Sequence, residues 1–64
     1  MRRWYNIELG LSDEIVALKK FLKNSGFKYE TSGAYNLTHF EILLTPEELR
    51  KTEDFLVNSG IVLN

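Results

Sequence analysis

Residues 37–49 read Leu-Thr-His-Phe-Glu-Ile-Leu-Leu-Thr-Pro-Glu-Glu-Leu, and within them one periodicity gives way to another. Up to Leu44 the side chains alternate, with Phe40, Ile42 and Leu44 on one face and Leu37, His39, Glu41 and Leu43 on the other. A period of two is the mark of a strand with one face buried. At Thr45-Pro46-Glu47-Glu48 the pattern changes to a helix start: a hydroxyl at the N-cap, proline at N1 and glutamate at N3. That order completes a capping box, because the hydroxyl and the carboxylate each satisfy a backbone N–H of the first turn. The stretch therefore predicts a strand from about residue 35 to 44 feeding a helix whose apolar stripe is Leu49, Phe55 and Leu56.

Working back toward the N-terminus, Ser32-Gly33 is the expected turn, and Phe27, Tyr29 and Thr31 alternate with Lys28 and Glu30 as a strand before it. Asn24-Ser25-Gly26 ends an earlier helix, with Gly26 suited to the left-handed position that closes helix C-termini. That helix starts at Ser12, the expected cap, with Asp13 and Glu14 in its first turn and Ile15, Leu18 and Leu22 at helical spacing. Tyr5, Ile7 and Leu9, alternating with Trp4, Asn6 and Glu8, give the first strand. Beyond the second helix, Asn58-Ser59-Gly60 repeats the earlier stop signal, and Ile61 to Leu63 are expected to form a short last strand.

The two helical segments correspond at a constant offset of 34 positions: Glu14 with Glu48, Phe21 with Phe55, Leu22 with Leu56, and the two Asn-Ser-Gly ends with each other. An apolar pair held in register with the caps points to a structural repeat. We read the chain as a single domain built from a pseudo-repeat of about 4–31 and 37–64. The element order βαββαβ resembles the ferredoxin-like arrangement. It implies an α+β fold, a four-stranded antiparallel sheet with both helices on one face, and the first and third strands in the centre.

Sixty-four residues leave room for one domain with a thin stability margin. With no cysteine there is neither a disulfide nor a thiolate metal site, so pairing with another chain is the remaining support, as a homodimer for instance. Eight Lys and Arg against nine Asp and Glu lack the basic excess a nucleic-acid binder uses on phosphates. No signal-peptide core is apparent, and no run approaches the roughly 20 apolar residues a membrane span needs. A cytoplasmic location is expected.

A sheet with helices on one side leaves its other side open. The alternation assigns to that side Trp4, Asn6, Glu8, Lys28 and Glu30, together with Tyr35, Leu37, His39, Glu41 and Leu43. Aromatic and aliphatic anchors ringed by charge suit a protein interface, so Trp4, Tyr35, Leu37, His39, Glu41 and Leu43 are the expected protein-binding residues. The partner is unspecified, and the size suits a small regulator or inhibitor of a larger protein, of the phage or mobile-element type. An RNA-stacking sheet is disfavoured by Glu8, Glu30 and Glu41; a small-molecule sensor resembling ACT-domain dimers is an alternative.

Charge inverts between the repeats. Lys19 and Lys20 occupy the register of Glu53 and Asp54, so the basic end of the first helix is expected to meet the acidic start of the second. Asp13, Glu14, Glu53 and Asp54 then gather at the opposite end as a secondary acidic patch. One histidine with one neighbouring carboxylate falls short of a metal site. No phosphate-binding glycine string or nucleophile with a base is present, so neither a cofactor nor catalysis is expected.

Overall fold

A computed structural model describes residues 1–34 and 37–61. In chain order these form β1 (Arg3–Leu9), α1 (Ser12–Ser25), β2 (Lys28–Ala34), β3 (Leu37–Leu44) and α2 (Pro46–Asn58). β3 is the central strand, antiparallel to β1 on one side and to β2 on the other. β1 and β2 therefore run parallel with β3 between them, the split βαβ that α1 spans.

The alternation read around Phe40 sets the layers. Ile7 and Leu9 of β1 and Phe40, Ile42 and Leu44 of β3 are buried on one face of the sheet against Leu18 and Leu22 of α1 and Leu56 of α2. Tyr5, Tyr29, Phe21 and Phe55 pack around that core. The helices meet through the rings of Phe21 and Phe55, stacked at 4.3 Å between centroids. Both helices end alike: Gly26 and Gly60 each take φ +73°, and Phe27 and Ile61 each donate a backbone bond to a carbonyl of the last turn, at Leu22 and Leu56. Only glycine enters that conformation without Cβ strain.

The helix starts differ. At α2 the capping box is complete: Glu48 N–H donates to Thr45 Oγ1 at 3.2 Å, and Thr45 N–H donates to Glu48 Oε1 at 2.9 Å. That backbone bond from Thr45, with the Arg2 guanidinium, holds the Glu48 carboxyl below the usual range against the opposing effect of burial. The start of α1 is a correction. Ser12 is its first helical residue and Leu11 its N-cap, which makes no side-chain cap bond.

The four-stranded ferredoxin-like sheet is not formed. The described residues make a three-stranded sheet of order β1-β3-β2, with β1 at an edge instead of in the centre. Ile61, expected to begin a fourth strand, is buried in the core as the residue that follows the helix cap and belongs to no strand. Val62 and Leu63 lie outside the described residues. Three apolar residues are too few for a period of two to show, so the expectation of that strand rests on analogy with the first half alone. The Ser32-Gly33 turn is a second correction: both residues continue β2, opposite His39 and Thr38.

Candidate interaction surface on the open sheet face

The helix-free face is built from alternate residues of all three strands, and the ladder fixes which stand side by side. One row holds Trp4, Leu43 and Lys28; the next holds Asn6, Glu41 and Glu30; the third holds Glu8, His39 and Ser32. Leu37 stands at the far end of β3, beside Ala34 of β2. Trp4 is 48% exposed and Leu37 45%, while Leu43, sheltered beside the indole, is half-buried.

Of the six expected interface residues, the structure brings Trp4 and Leu43 together and sets Leu37 apart. Six residues of strand, about 20 Å, separate Leu37 from Leu43. Two polar rows fill the interval, so the apolar anchors lie at the two ends of a charged band. Tyr35 lies outside the described residues.

Within the band, His39 Nδ1 is 3.7 Å from Glu8 Oε1, an ion pair whenever the imidazole is protonated. Glu30 stands directly opposite Glu41 on the neighbouring strand, an arrangement that costs stability because like charges face each other. A shallow depression of about 430 Å³ is lined there by Glu30, Thr31, Ser32 and Glu41. Sequence reasoning places Glu30 on the face without finding this opposition, because a turn at Ser32-Gly33 would set Glu30 against Tyr35.

Asp13, Glu53 and Asp54 are exposed, and Glu14 is half-buried. None of the four is in an ion pair among the described residues. The expected pairing of the α1 lysines with the acidic start of α2 is not made: Glu48 is bound to Arg2, from ahead of β1, at 3.1 Å. No group of three or more His, Cys, Asp or Glu able to hold a metal ion occurs among the described residues. Nor is any helix of the described residues long and apolar enough to cross a membrane.

No protein-family model matches this chain, and no curated protein or solved structure matches it either. The functional reading rests on the face itself.

Proposed function

We propose that this chain is a non-enzymatic protein-binding module that uses the open face of its sheet. One observation carries the reading: Trp4, a large aromatic side chain, is half-exposed beside Leu43 on the face opposite both helices. With its one indole 48% exposed, the chain leaves about 1 to 1.5 kcal/mol of burial unrealised at Trp4. An indole with an aliphatic neighbour and a charged surround is the composition that concentrates binding energy at protein interfaces.

The charges on this face favour a protein over a nucleic acid. Glu8, Glu30 and Glu41 would repel a phosphate backbone that Lys28 alone could not offset. The module acts by surface complementarity, as a small regulator or inhibitor covering a site on a larger protein.

The test is capture of partners from a lysate of the source cells by tagged wild type, Trp4→Ser, Leu43→Ser and the helix-surface control Val16→Ser. The expected result is a partner held by wild type and by Val16→Ser and lost by both sheet variants. Equal retention by all four would move binding off this face.

A further inference from the structure

We infer that the open face pairs with a second copy of this chain about a twofold axis crossing β3 above Phe40, at right angles to the strands. The inference rests on the reading of this face as a protein interface and names one occupant for it.

About that axis the face is complementary to itself. On β3, Leu37 and Leu43 lie equally far from Phe40 on either side, and His39 and Glu41 flank it directly. The proposed axis sets Leu43 over the second copy's Leu37 and Glu41 over the second copy's His39, each contact occurring twice. In the register of the sheet the row of Phe40 also contains Ile7 and Thr31. The same operation therefore sets Glu8 over the second copy's Asn6 and Glu30 over the second copy's Ser32. Every carboxylate on the face meets a hydrogen-bonding side chain, and none meets a carboxylate. Trp4 falls beyond the end of the opposing β1, over Gly10, which has no side chain of its own.

The other face-to-face twofold, with its axis along the strands, stacks Glu41 on Glu41 and His39 on His39, and is rejected on charge. Sheets packed face to face cross at about 30°. That rotation moves the inner His39–Glu41 contacts by only about 2 Å because they lie next to the axis, so this hydrogen-bonding pair survives it.

Three strands about 4.8 Å apart and about 20 Å long offer much less than the roughly 800 Å² per partner of a standard interface. The pair is accordingly weak and exchanging. A weak self-association of this kind shelters the indole while leaving the face open to displacement by a tighter partner.

Sedimentation velocity over a wide concentration range, read alongside the emission of Trp4, tests the inference, since Trp4 is the single tryptophan of the chain. Wild type is expected to dimerise reversibly with a blue shift of the emission in step. H39E should weaken association about tenfold or more by setting its carboxylate over the second copy's Glu41, and E41K should weaken it too by removing the carboxylate that accepts from the second copy's His39. The double variant H39E/E41K should recover it to within a few-fold, because the new carboxylate of each copy then faces the new ammonium of the other. With the axis along the strands the double variant stays dissociated, which overturns the proposed pairing. Should H39E, which sets a second carboxylate beside Glu8, prevent folding, E41K decides alone: undiminished dimerisation overturns the inference. A wild type that stays monomeric throughout overturns it too. If Trp4→Ser still loses a captured partner in that event, the protein-binding reading stands with a different occupant.

Discussion

Along β3 the two sides of the sheet are one residue apart, yet they answer to different physics. Phe40, Ile42 and Leu44 are fully buried beneath the helices, where packing at crystal-like density fixes size and shape. His39 and Glu41, on either side of Phe40 in sequence, are polar, face away from the helices, and have neighbours set by the ladder. On the covered side, sequence alternation and local helix signals agree, and the result is a close-packed layer. On the open side, local stability is sacrificed: Glu30 opposes Glu41, and an indole stands half in water. Departures from local optimisation concentrate where a protein meets something else.

Substituting adjacent residues of β3 separates the two sides most sharply. Phe40→Ala is expected to cost about 3 to 5 kcal/mol from lost burial and the cavity left behind. The total stability of a chain this size is roughly 3 to 10 kcal/mol, so the substitution should remove about a third of it or more. Glu41→Ala, one residue on, should shift stability by no more than about 0.5 kcal/mol. Chemical denaturation followed by far-ultraviolet circular dichroism measures both. Comparable losses at the two positions would mean that the open side is packed as well.

A smaller effect is expected where the covering layer begins. Thr45→Ala removes the hydroxyl that accepts from Glu48 N–H and should cost about 1 kcal/mol. Leu11→Asp, at the uncapped start of α1, should gain roughly 0.5 to 1 kcal/mol by supplying the missing acceptor. Opposite signs at the two helix starts, read as shifts in denaturation midpoint, would confirm that local capping tunes this layer. A loss at both would show instead that the exposed Leu11 side chain has a packing role.

On the open side the expected change is a gain. Glu30→Lys converts an opposed carboxylate pair with Glu41 into an attraction and should stabilise the chain by about 0.2 to 1 kcal/mol, less at high salt. A loss of stability would show that the two carboxylates are not the unfavourable neighbours that the register makes them.

The layers are legible in the sequence because each rests on a local period: Phe40, Ile42 and Leu44 for the strand, Leu18 and Leu22 for α1, Thr45-Pro46-Glu47-Glu48 for the start of α2. Two features are not legible. Gly33 reads as a turn residue, but it carries no positive φ and its neighbour Ser32 pairs with His39, so the strand runs on through both. Where the chain reverses decides every β2–β3 partner, and nothing within β2 encodes that choice; the opposition of Glu30 and Glu41 is therefore hidden. The segment after Gly60 misleads in another way. Its cap matches that of Gly26, and the match suggests a strand to follow. Cap geometry reports how a helix ends, not what comes next. The candidate face, by contrast, is placed correctly from alternation for Trp4, Leu37, His39, Glu41 and Leu43, because a period of two needs no knowledge of register.

The smallest expected change is one of pH, and it again separates the sides. Glu48 accepts from Thr45 N–H and pairs with Arg2, which holds its carboxyl below the usual glutamate value of about 4.3. A carboxyl whose value is lowered by folding contributes stability that is complete above its unfolded value and is lost as pH falls through the lowered one. Stability should therefore begin to decline below about pH 4.3 and go on declining until Glu48 is protonated in the folded chain. Glu48→Gln keeps an oxygen for Thr45 N–H but cannot titrate, so its denaturation midpoint should fall less over this interval than that of wild type. The variant should start lower at neutral pH and converge with wild type in acid. Parallel curves for the two would mean that the Arg2 contact and the cap bond hold the charged and neutral carboxyl equally well. Glu48 would then position α2 through hydrogen bonding alone, and the covered side would owe nothing to charge.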